Sequence, residues 1–144
     1  MGIIKKDYKI KIICGILFNS LWCAKRFNYH QEDLSSIASN INSIIEDNFS
    51  QKLKILLKVD LQSEIIKFDT TDYYKDEMGE EIFRYWISFS PVINAGHIYK
   101  IKIFTNEIET TIFSDENKNR KVNIDPGYIE GSKLVLFSTK NYSH

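Results

Sequence analysis

Cysteine, proline, glycine and histidine are all scarce in this chain, and each shortage closes a class of function. Cys14 and Cys23 are its two cysteines. They are too few for a disulfide framework, and their spacing fits no zinc knuckle, so reduced thiols and a cytoplasmic location are expected. Six glycines form neither G-x-x-x-x-G-K-[ST] nor G-x-G-x-x-G, and H-E-x-x-H and G-x-S-x-G are missing too. His30 and His97 stand beside expected helix starts and read as surface residues. An excess of one charge sign is lacking as well. The 19 Lys and Arg balance 19 Asp and Glu, leaving net charge +0. No general basic field exists to hold nucleic acid or an anionic membrane, and neither partner is expected. No apolar run approaches the ~20 residues of a membrane span. Gly2 is not set up for myristoylation, because Lys6 stands where Ser or Thr is required. Lys5, Lys6, Lys9 and Lys11 before the apolar residues 12–21 outline a secretion leader, but Asn19 and Ser20 interrupt the run early. Bulky Trp22 then sits where small residues should precede cleavage.

What is present is ordinary for one globular domain: 144 residues, 43% hydrophobic and 26% charged, enough to bury a core without staples. Residues 9–18 start with strand alternation and become continuously apolar, as in a strand covered on both faces. Asn28, with Gln31 three residues on, has the form of a capping box. Leu34, Ile37, Ala38, Ile41, Ile44, Ile45 and Phe49 recur at helical steps and place one stripe against a sheet. Residues 53–60 and 63–68 read as a bent strand or a hairpin, and 69–81 as a loop with room for one helical turn. Phe83, Tyr85, Ile87 and Phe89 alternate in a strand that Pro91 ends. Residues 94–113 return to helical spacing through Ile98, Ile101, Phe104, Ile108 and Ile112, and the Asn-rich 114–121 reads as an exposed turn. Residues 122–124 and 134–137 read as strands. The order β-α-β-β-α-β predicts an α+β domain, two helices packed on one face of a mainly antiparallel sheet, as in ferredoxin-like folds.

Three polar clusters could carry chemistry. In the first, Asp69, Asp72 and Glu77 supply hard oxygen ligands for a divalent metal such as Mg²⁺ or Ca²⁺, or one serves as a general base with a tyrosine such as Tyr73 as donor. The competing reading is that Asp69 or Thr71 caps a short helix and the other charges are solvated. In the second, an advance of ~100° per residue puts Lys102, Thr105 and Glu109 beside the apolar stripe of their helix. Half-buried polar groups there need partners, whether Lys102 with Asn106 or Glu109, or groups across a polar cleft. In the third, Asn123, Asp125 and Tyr128 accompany the terminal Lys140, Tyr142, Ser143 and His144. Asp125-Pro126-Gly127 carries a type II turn signal. Lys133 and Lys140 suit an anionic ligand, and His144 suits proton transfer near neutral pH.

These segments carry a resemblance. Phe68-Asp69-x-Thr71-Asp72-Tyr73-Tyr74-x-x-Glu77-Met78-Gly79, Ile101-Lys102-x-Phe104-Thr105-Asn106-x-x-Glu109, Asn123-Ile124-Asp125-Pro126-Gly127-Tyr128 and Lys133-Leu134-Val135-Leu136-x-Ser138-Thr139-Lys140-x-Tyr142-Ser143-His144 together resemble the bacterial family called domain of unknown function 4416. The chain departs from it at residues 51–58, which look longer, and at Gly131, where members carry a larger residue. The resemblance implies a sheet continuing past His144 through a further hairpin, and hence a chain truncated at its C-terminus. It implies no reaction. Some members carry a GTP-binding label, but Thr139-Lys140-Asn141 only faintly resembles the guanine-reading Asn-Lys-x-Asp, and the phosphate loop is missing.

Joined in one cleft, the clusters suit a metal-assisted hydrolase or transferase acting on a small anionic substrate. Asp72, Glu109, Asp125 and His144 would be its catalytic groups, and Asp69, Asp72 and Glu77 would hold a divalent metal. Thr71, Tyr73, Lys102, Thr105, Asn106, Asn123, Tyr128 and Lys140 would line the ligand site. The alternative is a non-catalytic small-molecule or nucleotide-binding module using the same residues. A third reading makes them a buried polar network that fixes the fold.

Overall fold

The computed structural model describes residues 8–69, 77–131 and 133–136. Strand β1 (Lys9–Asn19) is the centre of the sheet. It pairs antiparallel with β4 (Ile82–Ser90) on one side and with β6 (Val122–Glu130) on the other. With hydrogen bonds on both edges and side chains buried on both faces, it could not afford an alternating polar pattern, hence its apolar run. The chain passes directly into helix α1 (Ser20–Phe27), whose N-cap is Asn19; its Oδ1 accepts from Trp22 N at 2.9 Å.

The expected capping box at Asn28 is not formed. Asn28 has φ +65° and closes the C-terminus of α1, an αL role for which Asn is among the few suitable side chains. Helix α2 (Leu34–Leu53) begins later, with Asp33 at its N-cap position. Its apolar stripe is as read from the sequence: Ile37, Ala38, Ile41, Ile45 and Phe49 are buried, with Leu34 and Ile44 packed at the margin. Strands β2 (Lys58–Gln62) and β3 (Ile66–Lys67) both pair with β4, so residues 58–67 run as one bent edge and not as a hairpin. After β5 (Ile93–Asn94) and a 3₁₀ turn at Ala95–His97, helix α3 (Ile98–Thr111) runs back along the sheet.

The Asp-Pro-Gly turn is the larger correction. Strand β6 runs straight through it, with Asp125 opposite Gly15, Pro126 opposite Cys14 and Gly127 opposite Ile13. Eight residues of pairing with β1 outweigh a local turn preference. Ile124 N faces away from β1, toward α3, and Pro126, two residues on, presents its ring nitrogen to the same side. The missing N–H therefore removes no bond to β1. Gly127 is needed for close approach: a Cβ there would run into the Val135 carbonyl and lie 2.8 Å from Leu136 Cδ2. Strand β7 (Lys133–Leu136) pairs back along β6 from Glu130, past Gly131 at φ +54°.

The main core lies on the side of the sheet presenting Ile10, Ile12, Cys14, Ile16 and Phe18, clustered with Ile41 and Phe49 of α2 and Ile101 and Ile108 of α3. Tyr85 meets Phe18 edge-on at 5.8 Å between ring centres. Side chains directly opposite in a sheet share a face. The register therefore groups Gly15 and Leu17 on the other side with Trp86 and Arg84 of β4 and with Asp125 and Asn123 of β6. At one end of that side Leu17, Met78 and Ile82 form a second small cluster with Phe68. No helix among the described residues is long and apolar enough to cross a membrane.

Gly127→Ala tests the close approach of β6 and β7. Urea denaturation is expected to show a loss of ~1–3 kcal/mol from forced displacement of the paired backbone. An unchanged midpoint would mean β7 is free to move aside.

Candidate functional site

The polar residues of the second and third clusters meet through a side chain that neither contained. Arg120, just before β6, spans three elements. Its Nε donates to Glu77 Oε2 at 3.0 Å and its Nη2 to Glu77 Oε1 at 2.8 Å, a two-pronged pair. Nη1 donates to Asn123 Oδ1 at 2.9 Å and, at a longer 3.3 Å, to Glu109 Oε1. Glu109 Oε2 takes the Ile124 backbone N–H at 2.6 Å, filling a position on the β6 edge that β7, pairing only from Gly127 onward, does not reach. Asn123 then donates from Nδ2 to Asp125 Oδ2 at 3.2 Å. Lys121 secures the same corner, donating to the Glu77 carbonyl at 2.9 Å and standing 3.7 Å from Asp115.

Loop 114–121 is an exposed turn at Glu116–Lys118, as expected, but its flanks are half-buried and tied inward. Asp115 Oδ1 accepts from Asn117 N and Asn119 N, each at 2.9 Å, and Ser114 bridges to Arg120. This Asx-type wrapping aims Arg120 inward. The signal available beforehand was thin. Arg26, Arg84 and Arg120 are the three arginines in a chain whose other basic residues are lysine, and forked recognition of carboxylates calls for Arg.

Burial decides the protonation of the two acids nearest β6. Glu109 is 2% exposed, and desolvation pushes its carboxyl up to about 7. The Ile124 N–H and the single long contact to Arg120 only partly oppose it. Asp125 is also raised by burial, against the pull of Asn123 and Arg120. Glu77, less buried and held by the guanidinium fork, is lowered. Burial raises both cysteine thiols far above neutrality, so neither is a thiolate nucleophile.

Asp125 also lines a cavity of about 170 Å³ on the side of the sheet away from the main core, with Gly15, Leu17, Phe68, Arg84 and Trp86. Its Oδ1 is buried and has no hydrogen-bond partner among the described residues. Gly15 is required by the floor: a Cβ would sit 2.8 Å from the Trp86 ring that lies across it. Arg84 rests 5.9 Å from the centre of the Phe68 ring and makes no ion pair with any described residue. Beyond Trp86 a larger recess of about 470 Å³, walled by Ile13, Leu61, Ile129 and Leu134, has no titratable side chain among the described residues that line it.

Of the residues expected to form a site, Glu77, Glu109, Asn123 and Asp125 are brought together. Thr105 is buried on α3 with its hydroxyl donating to the Lys102 carbonyl at 2.8 Å, a helix-internal bond. Lys102 and exposed Asn106 share that helix, and neither lines the cavity. Tyr128 stands opposite Ile12, on the core side of the sheet and away from Asp125. Asp69 is exposed after β3. Thr71, Asp72, Tyr73, Lys140 and His144 lie outside the described residues. Both carboxylate oxygens of Glu77 are taken by Arg120, and no group of three or more metal-ligating side chains occurs among the described residues.

Comparison with known families decides the kinship. The chain belongs to the DUF4416 family, a domain of unknown function, which it matches over residues 9–144. No curated protein and no solved structure is detectably similar to it.

Two outcomes test the network. Arg120→Leu leaves Glu77 and Glu109 facing each other without the cation, and a destabilisation of ~3–5 kcal/mol in urea melts is expected; a loss under ~1 kcal/mol would show the tie to be solvated. Glu109 binds its proton more tightly folded than unfolded. Its contribution is therefore whole below its unfolded value of 4.5 and is lost as pH rises through about 7. From this group, stability should fall by ~2–3 kcal/mol between pH 5 and 8. Glu109→Gln should flatten that fall, and an identical pH slope in both proteins would contradict the assignment.

Proposed function

We propose that this DUF4416 chain binds a small polar molecule in the cavity beside Asp125, with Asp125 as the acceptor that fixes its orientation. One observation carries the reading: a buried carboxylate oxygen with no described partner, at the wall of a cavity. A buried acceptor left unmatched costs ~1–3 kcal/mol, and a ligand that donates to it recovers that cost. Aromatic walls with a few polar groups are the usual make-up of ligand sites. Arg84 supplies the cation for an anionic group, the part the sequence had suggested for Lys102 and Lys140.

A second reading, hydrolysis or group transfer on an anionic substrate, draws support from two carboxyls within one hydrogen-bonded chain that burial shifts upward, Glu109 to about 7 and Asp125 in the same direction. Groups so tuned serve as general acids and bases. Its metal-assisted form would rest on Asp69 and Asp72, since Glu77 is committed to Arg120. The order β2-β4-β1-β6, antiparallel throughout, with helical crossovers from β1 to β2 and from β4 to β6, supports a ferredoxin-like reading of the frame.

A thermal-shift screen of small metabolites and divalent metals, run on the wild type and on Asp125→Asn, tests the proposal. Stabilisation of several degrees by at least one organic compound, reduced at least fivefold in the variant, is expected. Equal shifts in both proteins, or shifts from metals alone, would count against it.

A further inference from the structure

We infer that the ligand of the Asp125 cavity is a small zwitterion, its ammonium group received at Asp125 and its carboxylate or phosphate at Arg84. The inference rests on the binding reading above and narrows it to a chemical class. The opposed charges come from the register of three strands. Asp125 of β6 and Trp86 of β4 both stand opposite Gly15, while Arg84 of β4 stands opposite Leu17, two residues along β1. Strands β4 and β6 are therefore separated by the width of β1 alone. With ~4.8 Å between neighbouring strands and ~6.8 Å along two residues, the Cα atoms of Asp125 and Arg84 lie ~12 Å apart. Both side chains line the one cavity, which leaves a short gap between carboxylate and guanidinium.

On β1 the residue level with Asp125 is glycine, so no β1 side chain rises beside that carboxylate. Only glycine fits beneath the Trp86 ring, and the ring closes the floor over β1. Asp125 and Arg84 do not pair with each other, and Arg84 is held instead against the Phe68 ring. A ligand with one charge would match one wall and leave the group on the other wall without a partner. A zwitterion with a short apolar spacer answers both, and its methylenes lie against Phe68 and Trp86. An ammonium group near the indole face gains further attraction to the ring. The described residues lining the larger recess beyond Trp86 offer no charge of either sign to make this distinction.

Calorimetric titration separates the possibilities. The probes are glycine, β-alanine, γ-aminobutyrate and phosphoethanolamine, with propylamine and propionate as the single-charge controls. At least one zwitterion should bind tenfold or more tighter than either control, and the ratio of phosphoethanolamine to the amino acids tells phosphate from carboxylate. Arg84→Gln should bring the best zwitterion down to the propylamine level, and Asp125→Asn down to the propionate level. Arg84 is exposed and the Asn replacement is isosteric, so both variants keep the fold, which circular dichroism verifies. If propylamine binds as tightly as any zwitterion and Asp125→Asn abolishes it, the zwitterion assignment is wrong while the binding site stands. If none of the probes binds, the assignment is likewise wrong, and the wider screen then decides the site itself.

Discussion

The Arg120 guanidinium is the tie on which the site depends. It gives its two-pronged face to Glu77, its remaining nitrogen to Asn123 and Glu109, and so joins the segment before β4, helix α3 and strand β6 at one corner. A guanidinium in that position is partly withdrawn from water, and its desolvation is offset because every prong meets a charged or amide oxygen. Lysine offers a point charge and would satisfy one of these partners. The geometry needs the planar fork.

That tie has an electrostatic consequence. The network contains more carboxyls than cations close enough to answer them, so the environment sorts the acids. Glu77 takes the fork and stays ionised. Glu109, deeper and reached only by a long contact, is held toward its protonated form. Asp125 is raised in the same direction and stands where the network opens on a cavity. A buried chain of hydrogen bonds with one unmatched oxygen at its end is an expense that a purely structural network would normally avoid. The zwitterion assignment gives that oxygen a purpose.

Some of this was legible in the residues alone. The α2 stripe could be read because 3.6-residue spacing survives in any tertiary setting. Thr105 and Glu109 could be placed beside the α3 stripe by angular advance, and both are buried. Asp125-Pro126-Gly127 misled because a turn preference is a local energy of small size, while β6 gains a continuous ladder against β1. Asn28 misled similarly: the same side chain suits an N-cap and an αL C-cap, and only the path of the chain chooses. Arg120 was hidden in an Asn-rich segment whose composition is that of a solvated loop.

Composition and periodicity by themselves determined the mixed α/β class with a mainly antiparallel sheet and the buried stripes, while the family was legible as a resemblance carried by the motif residues. Those properties follow from burying one apolar face per element, a rule each segment states on its own. The pairing of Glu77 with Arg120, the placing of Arg84 and Asp125 on one face of the sheet on either side of β1, and the removal of Tyr128 to the other face were decided by the tertiary structure. The last two depend on strand register, and a shift of one residue would send Arg84, Asp125 or Tyr128 to the opposite face; the first depends on how the chain outside the strands brings Glu77 to the start of β6.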